Sequence, residues 1–250
     1  MLDLEWTLHD GVLGAVLCVA TSTGSLLFYS LSPTAGTLTF VSSKQIADAR
    51  ILVLDLLWHP KRLDVIAVTL SDGSVCICRS ESLTEFWAEV SKVETRVVTA
   101  HELEPWTLAF SPGCEVLWSG GDDALLQRIP LDLPDPGSAA QVEQDMLTAV
   151  GGWSDRKIHQ AGVTAILPLT NELLVTGSYD DHIRLISAPA VGRRRVMTEL
   201  DLGGGVWRLK LMDRDVMTEP GRLFDRYVAQ EVSPDPEIAA FWLRGRLTCI

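Results

Sequence analysis

The stretch LLVTGSYDDHIRLIS, from Leu173 to Ser187, decides the fold. Aliphatic and β-branched residues end in Thr-Gly-Ser, an acidic turn follows, and a second run alternates Ile183 and Leu185 with polar residues. Two short apolar runs around a tight polar turn are typical of a β-hairpin. The stretch therefore predicts two antiparallel strands.

The same phrase occurs three more times, as AVLCVATSTGSLLFYSL, VIAVTLSDGSVCICRS and EVLWSGGDDALLQRIPL. The turn residues of the four hairpins are Thr23, Asp72, Asp123 and Asp180, so successive turns are 49, 51 and 57 residues apart. A supersecondary unit that recurs at this period indicates a repeat array.

Four-stranded units of this length are what a β-propeller blade requires. The blades are expected near residues 1–48, 49–99, 100–132 and 158–202, with a fifth beginning at residue 203. Fourth strands are expected between the hairpins, within 85–99 and 195–202. A seven-bladed ring needs about 300 residues. The prediction is therefore an all-β β-propeller that is incomplete, with about four to five blades.

Two segments interrupt this pattern. The segment from Leu133 to Trp153 begins with Pro, Gly and Ser and has a polar middle, so it is expected to be a long loop outside the sheets. Residues 211–250 carry scattered charges and no hairpin phrase, and are expected to be irregular. The partial propeller is therefore assigned to residues 1–210.

Composition limits the possible functions. The chain has 250 residues and a net charge of −12, which argues against binding to nucleic acid or to anionic membranes. The longest apolar stretch is too short to span a bilayer, and MLDLEWTLHD lacks the basic region of a secretory signal. Five cysteines without a framework spacing fit a reducing compartment, so a cytoplasmic location is expected.

Two sets of three polar residues occupy equivalent places in the third and fourth units: His101, Ser119 and Asp123, and His159, Thr176 and Asp180. Serine, histidine and aspartate are also the parts of a hydrolase triad. Because the set occurs twice and the chain has no Gly-x-Ser-x-Gly nucleophile elbow, we interpret both sets as structural networks.

No metal or cofactor is expected. Cys76 and Cys78 share one face of a strand, but no second Cys or His pair is placed to complete the four ligands of a zinc site. Gly203, Gly204 and Gly205 precede a strand rather than a helix, which is the wrong context for a phosphate-binding loop.

Residues at strand starts and hairpin turns form the rims and the channel mouth of a propeller, where ligands usually bind. Trp106 and Trp207 open the first strands of two units at equivalent positions. The substrate-binding candidates on this rim are Trp106, Trp207, Tyr179 and Gly204. Ordinary packing within the blades is the alternative for each of them.

Four phrases in a fixed order resemble one branch of the WD-repeat proteins. AHELEPWTLAF, SGGDDALL, TGSYDDHIRL and GGGVWRLK follow one another between Ala100 and Lys210, and they resemble the diphthine methylesterase family of diphthamide biosynthesis. The two polar sets resemble the His, Ser/Thr and Asp of degenerate WD repeats, in which the usual Trp is replaced by Ile129 and Ile186.

The resemblance implies a hydrolase that removes the methyl ester from methylated diphthine, a modified histidine of translation elongation factor 2. Ester hydrolysis requires a base and donors for the oxyanion. The expected base is His182 or His101, oriented by Asp122 or Glu102. The substrate carries a trimethylammonium group beside the ester, and Trp106 or Trp207 is expected to hold this cation.

Two other functions stay open. Many propellers bind partners through their rims and catalyse nothing, and the fold alone does not separate a scaffold from an enzyme. The chain also fits an inactive, truncated member of the family. Release of methanol from methylated elongation factor 2 separates the hydrolase from both.

Overall fold

The computed structural model describes residues 3–8, 15–32, 34–81, 87–133 and 151–210. In these ranges the chain forms four antiparallel sheets of four strands each, and no helix is long and apolar enough to cross a membrane. Each sheet pairs its strands in sequence order. We call each sheet a blade.

The strand bounds are as follows. Blade one contains β1 (Leu4–Leu8), β2 (Ala15–Ala20), β3 (Ser25–Ser32) and β4 (Thr37–Gln45). Blade two contains β5 (Val53–Trp58), β6 (Val65–Leu70), β7 (Ser74–Ser80) and β8 (Val93–Ala100). Blade three contains β9 (Pro105–Phe110), β10 (Val116–Gly121), β11 (Leu126–Pro130) and β12 (Trp153–Asp155). Blade four contains β13 (Val163–Pro168), β14 (Leu173–Ser178), β15 (His182–Ser187) and β16 (Arg195–Asp201).

The four predicted hairpins are confirmed as the pairs β2–β3, β6–β7, β10–β11 and β14–β15. The turn in blade two shows why the phrase folds this way. Asp72 accepts a hydrogen bond from the N–H of Ser74 at 3.0 Å, and Gly73 has a φ of 92°, which only glycine adopts at little cost. A Cβ at Gly73 would also collide with the carbonyl oxygen of His101, so the turn packs closely against the chain that leaves β8.

The fourth strand β16 lies within its predicted range and β8 extends one residue beyond its range, to Ala100, but β12 corrects the prediction. Trp153 was expected in a loop, yet it begins β12, and blade three therefore extends beyond residue 132. The strand has three residues, which is too few for an alternating pattern to be visible in the sequence. Trp153 is held by an edge contact with the ring of Trp118, at 5.5 Å between centroids. Residues 134–150 and 211–250 lie outside the described residues.

The first strands of adjacent blades contact one another, β1 with β5, β5 with β9, and β9 with β13. These strands therefore form the inner layer of a partial ring, and the fourth strands lie outermost. Residues 203–210, which we call the fifth segment, continue this layer, since the Thr164 hydroxyl donates to the carbonyl oxygen of Val206.

Apolar clusters fill the spaces between blades. Between blades one and two, the rings of Phe28 and Trp87 stack with their centroids 4.8 Å apart, and Trp58 meets both edge-on. The cysteines belong to these cores: burial raises the pKa of the Cys76 and Cys78 thiols to about 12, so both are inert apolar side chains.

Candidate functional site

Three inner strands carry a register shift at their second residue. The shift leaves Leu54 unpaired in β5, Trp106 in β9 and Thr164 in β13. A β-bulge bends the strand and re-aims the extra side chain. Trp106 and Thr164 line the space at the centre of the inner layer, and Trp207 lines it from the fifth segment. The equivalence of Trp106 and Trp207 seen in the sequence therefore has a structural basis.

The central space is a cavity of about 480 Å³, which we call the channel. Its wall is formed by β1, β5, β9, β13 and the fifth segment. Three acidic side chains, from Asp3, Glu5 and Asp55, lie in the wall contributed by the first two blades. Arg208 and Lys210 of the fifth segment also line it.

Two carboxyl groups of the channel, those of Asp55 and Glu5, have raised pKa values. Burial, the negative charge of Asp3 and a hydrogen bond with the Asp3 carboxyl raise the pKa of Asp55 well above its usual range, although the N–H of Leu108 donates to Asp55 at 2.7 Å. Burial and the charge of Asp3 raise the pKa of Glu5 to about 7, against the opposing charges of Lys210 and Arg208. Glu5 therefore exchanges its proton near neutral pH, as a general acid or base must.

Sequence reasoning missed these carboxyl groups. One signal was visible: Asp55 interrupts the apolar run ILVLDLLW, where a carboxylate is costly unless it has a partner or a function. No comparable signal marked Asp3 or Glu5, because acidic residues near the start of a chain are common on surfaces.

His101, predicted both as a base and as part of a structural network, is sealed inside blade three. Its Nδ1 lies 2.9 Å from Asp123 Oδ1 and its Nε2 lies 3.0 Å from Ser119 Oγ, and its side chain has no solvent exposure. Because a carboxylate only accepts, Nδ1 donates to Asp123. Both nitrogens are engaged, so His101 has no free lone pair with which to activate water.

The equivalent set in blade four is only partly joined. His159 Nε2 lies 2.8 Å from the Thr176 hydroxyl, but within the part of the chain that the structure describes His159 Nδ1 has no hydrogen-bond partner. Asp180 instead binds Arg184 at 2.8 Å and accepts from the N–H of Gln160 at 2.9 Å. Burial and the charge of Arg184 lower the pKa of His159 to about 4, so this imidazole is neutral.

The other predicted catalytic residues lie apart from one another. His182 Nδ1 lies 2.6 Å from the carbonyl oxygen of Asp180, and because a carbonyl only accepts, Nδ1 carries the proton and Nε2 has the lone pair. Glu102 pairs with Arg156 at 2.9 Å on the surface. Among the described residues, no hydrogen bond joins either Asp122 or Glu102 to a histidine side chain, so neither orients His101 or His182.

The predicted substrate-binding residues fall into two places. Trp106 lies in the channel wall, and its indole nitrogen is buried without a hydrogen-bond partner. Tyr179 and Trp207 meet at the mouth, with ring centroids 4.9 Å apart and planes at 90°. Gly204 lies at the start of the fifth segment, beside Gly203, whose φ is 68°.

Comparison with known proteins agrees with the resemblance read from the sequence, although no family model matches the chain. The chain is 32% identical over 218 residues to the diphthine methyltransferase of Schizosaccharomyces pombe, an alignment that covers 85% of this chain and 57% of that protein. It is 30% identical over 222 residues to the human diphthine methyltransferase, covering 84% and 44%. The chain is similar to proteins of this name over most of its own length. It spans about half the length of the curated relatives it matches.

Solved structures confirm the fold. A chain of the Mitotic Checkpoint Complex aligns with a TM-score of 0.56 at 22% identity, covering 82% of this chain and 54% of that one. Sqt1 of Chaetomium thermophilum, bound to the N-terminus of the ribosomal protein L10, aligns with a TM-score of 0.54 at 17% identity, covering 79% and 49%. At these identities the likeness shows the fold alone, an incomplete WD-repeat propeller.

Proposed function

We propose that the chain hydrolyses the methyl ester of methylated diphthine on translation elongation factor 2, in the cytoplasm, as a step of diphthamide biosynthesis. Its relationship to proteins named diphthine methyltransferase supports a role with diphthine. The observation that carries the reaction class is Glu5, a carboxyl group with a pKa of about 7 in the wall of a cavity large enough for a modified side chain.

In the proposed mechanism Glu5 acts as the general base. Its carboxylate takes a proton from water as the water oxygen bonds to the ester carbonyl carbon. Arg208 and Lys210 stabilise the oxyanion, because fixed positive charge near a developing negative charge lowers the barrier. The bond to the methoxy oxygen then breaks, and Asp55, whose raised pKa keeps it protonated, gives its proton to the departing oxygen as methanol leaves. The acid product loses its proton to solvent, and the proton taken up by Glu5 returns through solvent to Asp55. The products are methanol and a free carboxylate.

His182 is the second candidate for the base. Its Nε2 carries the lone pair, and its side chain is 29% exposed. It begins β15, however, which is the third strand of its blade, whereas Glu5 lies on an inner strand that lines the channel. Position relative to the channel therefore favours Glu5.

The deciding assay measures methanol released from methylated elongation factor 2, by this chain and by a version extended to a full ring. Methanol identifies hydrolysis, because a methyl transfer delivers the methyl group to an acceptor other than water. Glu5→Gln is expected to lower turnover by about 10²- to 10⁴-fold. Wild-type turnover should rise with pH through about 7, where Glu5 loses its proton.

The matched control is Glu94→Gln, which removes an exposed carboxyl from the outer strand β8 and should leave turnover unchanged. If His182→Gln loses turnover and Glu5→Gln stays active, the general base is His182 and not Glu5. If neither the chain nor the full ring releases methanol, the hydrolase proposal is wrong.

One observation favours a scaffold as the second candidate function. The register of blade one aligns Trp6, Leu17, Tyr29 and Phe40 in a row across its four strands. Trp6 is 46% exposed and Phe40 54% exposed, and an exposed apolar face of this kind usually contacts another protein surface. A scaffold, or an inactive truncated family member, would bind elongation factor 2 in the same assay without releasing methanol.

A further inference from the structure

Two exposed aromatic rings meet at a right angle at the mouth of the channel. Tyr179 is 36% exposed and Trp207 is 51% exposed, although the two rings are in edge-to-face contact. A perpendicular pair that is this open to solvent presents parts of two ring faces to the same small volume. Aromatic side chains that only fill space are normally buried more deeply.

The arrangement of Tyr179 and Trp207 depends on two glycines. A Cβ at Gly162 would lie 2.8 Å from Asp122 Oδ1 and 3.1 Å from Tyr179 Cδ2, and a Cβ at Gly205 would lie 3.2 Å from Tyr179 Cδ1. Because these glycines have no side chain, Asp122 of blade three, Tyr179 of blade four and Trp207 of the fifth segment can converge. Three consecutive units of the repeat therefore contribute one residue each.

A carboxylate, that of Asp122, belongs to the same site as the two aromatic rings. The Asp122 side chain is exposed, and no salt bridge in the described part of the chain neutralises it. Burial and the charge of Asp122 raise the pKa of the Tyr179 hydroxyl, in line with the position of both side chains around Gly162. Arg208, the next residue after Trp207, is partly balanced by its interaction with Glu5.

We propose that Tyr179, Trp207 and Asp122 form a binding site for a methylated ammonium group. Ring faces attract cations, and methyl groups on the nitrogen make apolar contact with the same rings while a bare ammonium keeps its water. Asp122 supplies the countercharge without contacting the nitrogen directly. The identity of the natural ligand, the quaternary ammonium beside the ester, rests on the proposed function, but binding itself does not.

The experiment compares choline with 3,3-dimethylbutan-1-ol, which has the same shape and no charge, by ligand-observed NMR titration of the whole chain. Choline should bind more tightly than the neutral compound, by about threefold to thirtyfold. Trp207→Ala and Asp122→Asn should each weaken choline binding by a factor in the same range. Tyr179→Phe keeps the ring and should bind choline normally.

Phe40→Ala is the matched control, because Phe40 is as exposed as Trp207 and also forms an edge-to-face pair, with Tyr29, on blade one. Equal binding of both compounds, or equal losses in Phe40→Ala and Trp207→Ala, would overturn the site. Choline binding without methanol release would contradict the hydrolase proposal but would support the binding site. Methanol release with an unchanged KM in Trp207→Ala would show that the substrate's ammonium group is not the ligand of this site, and would not contradict the hydrolase proposal.

Discussion

Blades three and four contain the same polar set but connect it differently. In blade three, His101 joins Ser119 to Asp123 in a continuous network. In blade four, His159 reaches Thr176 but not the turn aspartate. A histidine, a hydroxyl residue and an aspartate at equivalent positions therefore do not fix the same hydrogen bonds.

The difference follows from the residue four positions after each turn aspartate. In blade three this residue is Gln127, a neutral side chain that bonds to Thr99 and to the carbonyl oxygen of Ala100. It leaves Asp123 available to His101. In blade four it is Arg184, whose guanidinium lies 2.8 Å from the Asp180 carboxylate. A charged donor competes better than a neutral imidazole, so Asp180 binds Arg184.

Neither network is a catalytic triad. All three residues of the blade-three set are buried, and His159 is buried and neutral in blade four. A substrate cannot reach these groups without opening the blade. We infer that both sets stabilise the blades, and that chemistry takes place in the channel.

The largest effect is expected from Asp180→Ala. It leaves the guanidinium of Arg184, which is 3% exposed, with Glu199 as its one remaining ionic partner among the described residues. Loss of one partner from a buried ion pair costs about 3 to 5 kcal/mol. Urea unfolding measures this loss, and a cost below that of Asp123→Ala would reverse the ranking of the two networks.

Asp123→Ala is expected to cost less, because it removes the acceptor of one buried imidazole N–H rather than the ionic partner of a buried guanidinium. An unsatisfied buried donor costs about 1 to 3 kcal/mol. The unfolding midpoint should fall, while methanol release by the remaining folded protein should persist. If the variant has normal stability and no turnover, the polar set of blade three is catalytic and not structural.

A smaller effect is expected from pH. The pKa of His159 is about 4 when folded against 6.5 when unfolded, so the unfolded state binds the proton first and stability falls as pH drops below 6.5. Between pH 7 and pH 5.5 the loss from this residue is about 1 kcal/mol. His59, whose pKa burial also lowers to about 4, adds a similar loss, and Glu5 opposes both because its folded pKa is raised.

The contribution of His159 is therefore measured as a difference between wild type and His159→Gln across this pH range. The variant should lose less stability on acidification, by about 1 kcal/mol. Identical pH profiles would show that His159 is not held neutral in the folded protein.

The fold was predictable because the hairpin phrase is local and occurs four times. The turn chemistry of Asp72 and Gly73 lies within a few residues, and the apolar alternation sets the register. The strand β12 was missed because three residues carry too little pattern. The turn and the alternation of a hairpin depend only on neighbouring positions in the sequence.

The channel was less predictable, because its groups come from strands that are far apart in the chain. The hydrogen bond between Asp3 and Asp55 and the raised pKa of Glu5 exist only when β1 and β5 pack together. Single-sequence patterns do not show such contacts. Trp207 and Tyr179 were identified because rim positions follow from the repeat, but their right-angle contact required the structure.

The most direct test of the account is the NMR spectrum of the imidazole nitrogens in wild type and in Arg184→Gln, which places in blade four the residue type of blade three. In wild type, His101 should show a protected, strongly downfield Nδ1 proton, and His159 should not. In Arg184→Gln, Asp180 is released, and His159 should gain an Nδ1 proton resonance like that of His101. A His159 spectrum unchanged by the substitution would contradict the claim that this one position selects the partner of the turn aspartate.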